Sequence, residues 1–270
     1  MTNTFPQVVT IAGSDCDGSA GMEADLHTFF MRHTYGMAIV TACVAGNSIG
    51  IQDSVALPIP FIKQEFASLA ADFNIKASKT GMLADAELIK TIAQEYQKYD
   101  FGPLVVDPVI VTKHGATLLE DDALNNMRNL MLPLATVITP NFAEAQTLVA
   151  RQLNTATDIK QAARQLQQMG AQNILIKGRH DDVHQAVVTD YVLLASGEDF
   201  WLEAPYIDTQ HVNGTGDSLS ACIAAELAKG RTVADAIKTA KQFVYQAIAD
   251  PIDVGHQYGP INHWATNDIK

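Results

Sequence analysis

Cysteine is scarce in this chain. The three present, Cys16, Cys43 and Cys222, lie far apart with no C-x-x-C pair, so neither a disulfide framework nor a zinc site is expected. Long apolar runs are also missing. None reaches the roughly 18 residues of a membrane helix, and residues 1–7 lack the basic segment and apolar run of a signal peptide. A cytoplasmic protein without a membrane partner is therefore expected. Basic residues are outnumbered: 18 Lys+Arg against 30 Asp+Glu give a net charge of −12, which argues against nucleic acid as a partner. The same charge repels nucleotides at long range. Any phosphate site must be local, built from backbone N–H groups, a helix N-terminus, a few basic side chains and a metal ion. No linker rich in Pro, Gly or Ser, no low-complexity tract and no repeat divides the chain, so one domain over residues 1–270 is expected.

What is present is a 270-residue chain that is 47% hydrophobic, enough to bury a large core. Short β-branched runs at residues 8–12, 38–45, 75–80, 104–111, 136–139 and 173–177 read as strands covered on both faces. Helical stripes lie between them. Leu88, Ile89, Ile92, Ala93 and Tyr96 share one face; Ile159, Ala162, Ala163, Leu166 and Met169 share another, stopped by Gly170; residues 234–249 make a third. Residues 191–201, turning at Ser196-Gly197-Glu198-Asp199, predict a hairpin. The alternation predicts an α/β fold in three layers, with a mostly parallel sheet between two helix layers. Ligands of such sheets sit outside the carboxyl ends of the strands.

The most informative segment is Asn213-Gly214-Thr215-Gly216-Asp217, which leads into an apolar helix. Its glycines let successive N–H groups converge on an anion at the helix start. Asp217 is either a first-turn acid favoured by the helix dipole or the group that accepts a proton from an attacking hydroxyl. The P-loop motif is absent, and Leu219 stands where a dinucleotide fingerprint has its third glycine. Near the N-terminus, Gly13-Ser14-Asp15 through Ala20-Gly21 forms a Gly-rich turn where a flat ring could lie against backbone, or a plain strand-to-helix connection. Asp107, after Val105-Val106, is a turn acid or a Mg²⁺ ligand. Thr112-Lys113-His114-Gly115 could close as a flap. Glu144, after Thr139-Pro140-Asn141, is a capping acid or holds Mg²⁺ through water. Lys177-Gly178 ends a further strand, its lysine either solvated or turned to the same face. His180, His184, His211, His256 and His263 show no metal-ligand spacing. Together these groups favour phosphoryl transfer.

The ordered set resembles the hydroxymethylpyrimidine kinase and pyridoxal kinase branch of the ribokinase-like superfamily. The similarity runs nearly end to end, through Ile11-Ala12-Gly13-Ser14-Asp15, Lys79-Thr80-Gly81-Met82-Leu83, Val106-Asp107-Pro108-Val109, Gly214-Thr215-Gly216 and Val254-Gly255-His256. The resemblance implies ATP with Mg²⁺, a small-molecule substrate and a homodimer. It places Gly214, Thr215 and Gly216 in the anion hole, Lys177 on phosphate, and Asn141 and Glu144 on nucleotide and Mg²⁺. It also puts Gly13, Ala20, Met82 and Val109 around the ring. The chain departs from the pyrimidine kinases at Asp217, where they usually carry cysteine. It departs again at Gly46, where they carry a glutamine that bonds the pyrimidine. The open space at Gly46 makes pyridoxal the first expectation, with hydroxymethylpyrimidine or its phosphate as the alternative and dual use allowed. Thr112 stands where some pyridoxal-preferring relatives carry a reactive cysteine.

Overall fold

The computed structural model describes residues 4–110, 120–179 and 184–266. Val111, the expected flap at 112–115 and His180 lie outside the described residues. In chain order the elements are β1 (Gln7–Asp15), α1 (Gly21–Met31), β2 (Tyr35–Asn47), β3 (Gly50–Ala56), α2 (Ile59–Asp72), β4 (Ile75–Thr80) and α3 (Ala86–Lys98). Then come β5 (Leu104–Val106), α4 (Asp121–Asn126), β6 (Ala135–Ile138), α5 (Phe142–Val149), α6 (Ala156–Gln168) and β7 (Asn173–Ile176). The chain closes with β8 (Val187–Leu193), β9 (Asp199–Pro205), α7 (Thr215–Ala228) and α8 (Val233–Ala249).

One sheet runs β3-β2-β1-β4-β5-β6-β7-β8-β9. Its inner pairs, from β2 to β7, are parallel, whereas β3 and the expected hairpin β8–β9 add antiparallel edges. Period-two alternation splits the core into two. Val9 and Ile11 of β1 join Phe66, Ile92 and Leu166 of α2, α3 and α6 on one face. Val8 joins Phe29, Ala221 and Phe243 of α1, α7 and α8 on the other. That is the expected three-layer α/β arrangement.

After β1 the chain steps to β2 on one side and returns to β4 on the other. This reversal opens a crevice beyond the carboxyl ends of β1 and β4, where the first and last layers can converge on a ligand.

Two expectations need correction. The strand predicted through residue 111 stops at Val106. Pro108 has no N–H for a ladder, and Val109 adopts φ +42, a left-handed conformation costly for a β-branched residue. Strand β3 was not foreseen. All seven of its residues are exposed, so no buried face imprints an apolar rhythm on it. Among helix starts, Asn141 and Glu144 form a reciprocal capping box on α5, and Gly170 follows α6 with φ +114 as expected.

Candidate active site

The start of α7 is pressed onto the turn that leads into α1. Gly214 has φ +79, and a Cβ there would overlap the Ser19 carbonyl oxygen. Only glycine fits both demands. The amide of Thr215 donates to Val212 O at 3.3 Å and that of Ser218 to Gly214 O at 2.8 Å. No hydrogen bond among the described residues uses the Gly216 and Asp217 amides. At the helix start those two amides stay open, while Gly214 and Thr215 shape the turn.

Basic and acidic side chains meet at this helix start. A Cβ on Gly216 would stand 3.4 Å from Asp107 Oδ2 and 3.5 Å from Lys177 Nζ. Lys177 Nζ lies 3.4 Å from Asp107 Oδ1. Burial alone would lower the Lys177 ammonium, but Asp107 and Glu144 outweigh it and hold it above the ordinary lysine range. Glu144 is buried, its Oε2 accepting from Asn141 N at 2.7 Å and its Oε1 from Ile110 N at 3.1 Å. The capping reading of Glu144 is thus realised, and the same side chain also faces Lys177 and Asp107. Burial, reinforced by Asp107 against the pull of Lys177, raises its carboxyl. Gly178 is fixed from behind: its N–H donates to Asp190 Oδ1 at 2.8 Å, and Lys241 pairs with the other oxygen of Asp190 at 2.7 Å. A Cβ at Gly178 would stand 2.5 Å from Thr189 O, so backbone passes backbone there without room for a side chain.

The donor set suits Mg²⁺. Asp107 and Glu144 supply hard oxygens, and no cluster of three or more metal-ligating side chains exists among the described residues. Mg²⁺ sites of that kind rely on one or two carboxylates, substrate phosphates and water. Because both Glu144 oxygens already accept backbone N–H groups, a water-bridged role fits it better than direct ligation.

A second group of the expected residues lies at the ends of β1 and β2. Met82 Cε lies 3.4 Å from where a Gly13 Cβ would stand, and Asp15 Oδ1 lies 3.7 Å from that position on Gly46. Glu23 of α1 ties this turn down, accepting from Ser14 Oγ at 2.6 Å and Asp15 N at 2.7 Å. Burial and the neighbouring Asp17 raise the Asp15 carboxyl. Ala20 is the N-cap of α1, one residue beyond the Ser19 carbonyl that meets Gly214. Gly13 thus meets Met82, Asp15 meets Gly46, and Ala20 follows on the turn that leads from β1 into α1. Val109 stands apart from these contacts, between Asp107 and the Ile110 amide that Glu144 holds.

Three residues escaped notice as site groups. Asp217 Oδ1 lies 3.2 Å from Lys79 Nζ, and Lys79 Nζ lies 2.8 Å from both oxygens of Asp25. Thr10 Oγ1 donates to Asp25 Oδ2 at 2.5 Å. Lys79 and Asp25 are fully buried, whereas the Asp217 side chain is 20% exposed. A lysine inside an apolar β4 run and an acid on an apolar helix face were the available signals.

Comparison with known proteins fits this geometry. The model of the phosphomethylpyrimidine kinase family matches residues 15–262. The chain is 45% identical over 260 residues to the hydroxymethylpyrimidine/phosphomethylpyrimidine kinase of Haemophilus influenzae, covering 96% of this chain and 97% of that protein. The ADP complex of Bacillus subtilis pyridoxal kinase superimposes with a TM-score of 0.89 at 35% identity, over 97% of this chain and 98% of that one. Staphylococcus aureus pyridoxal kinase in complex with AMP-PCP and pyridoxal gives 0.89 at 32% identity, over 99% and 97%.

Proposed function

The chain belongs to the phosphomethylpyrimidine kinase family, and from that premise we propose that it moves the γ-phosphate of ATP onto the hydroxymethyl oxygen of hydroxymethylpyrimidine and, where the monophosphate is the substrate, onto an oxygen of its phosphate. It is an ATP-dependent kinase with an alcohol acceptor. The observation that carries the reading is the convergence at one helix start of two unspent amides, Lys177, Asp107 and the Asp217 carboxylate.

In this reading Asp217 takes the hydroxyl proton as the substrate oxygen bonds to the γ-phosphorus and the bond to the β,γ-bridging oxygen breaks, releasing ADP. The Gly216 and Asp217 amides and Lys177 meet the charge on the moving phosphoryl group. Asp107, with Glu144 through water, would hold Mg²⁺, which neutralises phosphate charge when bound. Asn141 and Gly178 shape the nucleotide side; Gly13, Asp15, Ala20, Gly46 and Met82 shape the ring side, and Val109 stands apart from it.

Pyridoxal, ranked first on sequence alone, becomes the second reading, because the family description and the Haemophilus influenzae relative both favour the pyrimidine. Two features keep it in place: the missing side chain at Gly46 and the likeness to two pyridoxal kinases. ADP release measured side by side with hydroxymethylpyrimidine, pyridoxal and pyridoxine tests both. The expected outcome is the highest kcat/KM for the pyrimidine and a lower, measurable one for pyridoxal; release with none of the three would end the reading. A homodimer is part of the proposal. Ile51 and Val55 on edge strand β3 are 71% and 64% exposed, and a monomer by light scattering would count against it.

A further inference from the structure

We infer that Lys79, clamped by Asp25, is a positioning residue for phosphoryl transfer: it fixes the Asp217 carboxylate through Oδ1 and leaves Oδ2 for the substrate hydroxyl. The inference rests on Asp217 as the proton acceptor and names what holds it in place.

The alternation of β4 turns Lys79 to the side of Ala77, under α1 and α7. An ammonium has three hydrogens to donate. Here the three contacts are the two oxygens of Asp25 and Oδ1 of Asp217, so none is spare. Gly81 keeps the space over this group clear, since a Cβ there would come within 3.0 Å of Nζ. Thr10 on β1, Asp25 on α1, Lys79 on β4 and Asp217 on α7 thus form one chain of contacts across four elements. Asp217 is registered to the sheet as well as to its own helix.

Stability does not account for such a group. Burying two full charges costs desolvation that their attraction barely offsets, and an apolar pair of like volume generally serves a core as well. Burial alone would lower the Lys79 ammonium, yet Asp25 and then Asp217 more than offset it, so the side chain remains a cation. The arrangement makes chemical sense during turnover. Before the step, one ammonium faces two carboxylates. Burial, reinforced by Asp217 against the pull of Lys79, pushes the Asp25 carboxyl up to about 7, so two acids compete for one ammonium. Once Asp217 carries the substrate proton, that competition ends and Lys79 keeps Asp25 as its partner. No hydrogen bond from a described residue occupies Asp217 Oδ2, and this is the oxygen with freedom to accept. Fixing one oxygen of a base restricts the rotation of the other, the kind of preorganisation whose loss costs rate more than affinity.

The test is a double-mutant cycle on the full-length enzyme with ATP and hydroxymethylpyrimidine, or pyridoxal where that is the better substrate. The paired variant Lys79→Met/Asp25→Asn removes both fully buried charges together and leaves only the part-exposed Asp217 carboxylate without its ammonium partner. Its kcat is expected to fall about 10²-fold, with both KM values changed less than about threefold. In the Asp217→Asn background the same pair should lower the residual kcat less than about threefold, because the group it positions is already gone. Undiminished kcat in the pair, or an equal loss in both backgrounds, overturns the inference. Asp25→Asn alone keeps the side-chain shape and covers the case in which the pair fails to fold. It should cost about tenfold in kcat at unchanged KM, and wild-type kcat there is also refuting. Near-normal turnover by Asp217→Asn would instead sink the proton-acceptor reading itself, whatever Lys79 does.

Discussion

Replacing Gly46 with glutamine probes how the ring pocket chooses its substrate. Gly46 pairs with Ile51 across β2 and β3, and its φ is not in the left-handed region. A Cβ there would stand 3.5 Å from Gly50 O, 3.7 Å from Asp15 Oδ1 and 3.8 Å from Ile51 Cα, all ordinary contact distances. The contacts of Cys16 Sγ with this residue, both 3.3 Å, go to backbone atoms and survive the change. The fold should therefore accept the side chain, with stability moving by no more than about 0.5 kcal/mol. The added amide can donate or accept a hydrogen bond with a pyrimidine ring. A neutral bond of about 0.5–1.5 kcal/mol net raises kcat/KM for hydroxymethylpyrimidine by about 2- to 12-fold. The bulkier pyridoxal loses the space, and crowding by a methylene or two costs it roughly tenfold or more. The pyrimidine-to-pyridoxal ratio of kcat/KM should thus rise by at least about 20-fold, measured by coupled ADP release with both substrates on both proteins. An unchanged ratio in a folded variant would show that Gly46 does not line the ring site.

Further outcomes follow from the same geometry. Gly214→Ala forces a left-handed alanine, costing about 1–2 kcal/mol, and adds a clash with the Ser19 carbonyl. Thermal unfolding should shift down and kcat should fall more than KM rises; a variant of wild-type stability would contradict the close approach of α7 and the α1 turn. His263 is buried against Ser218 Oγ at 2.9 Å, and burial, helped by His27, lowers its pKa from 6.5 to about 4. The unfolded chain takes up this proton near pH 6.5, while the folded one does not until near pH 4. This group's contribution is therefore present above 6.5 and is lost as pH falls toward 4, by about 3 kcal/mol at most. Denaturant unfolding of His263→Gln should show a flatter stability profile between those limits; parallel profiles would refute it.

The layer order and most strand positions were legible because strands covered on both faces carry dense apolar runs, as at residues 8–12 and 75–80. The same logic hid β3, whose residues touch no core on either face. The end of β5 depended on a single backbone feature, the left-handed Val109 after Pro108, which no apolar pattern encodes. Asp217, Lys177, Asp107 and Glu144 stood out because they recur together at strand and helix ends on one sheet edge, although each alone also has a capping, turn or solvated reading. Lys79 and Asp25 did not, because each sits inside an element and their meaning arises only when β4 and α1 bring them within 2.8 Å. The reach of Glu144 was likewise hidden: beyond capping α5, its carboxylate also accepts from the Ile110 amide and faces Lys177.

The most direct measurement is the steady-state rate of Asp217→Asn with ATP and hydroxymethylpyrimidine, alongside ATP affinity by calorimetry. Asparagine keeps the shape and cannot take a proton, so kcat should drop by about 10²–10⁴-fold while ATP binds as before. Turnover within a few-fold of wild type would place the base elsewhere and contradict the reading of the α7 N-terminus as the seat of phosphoryl transfer.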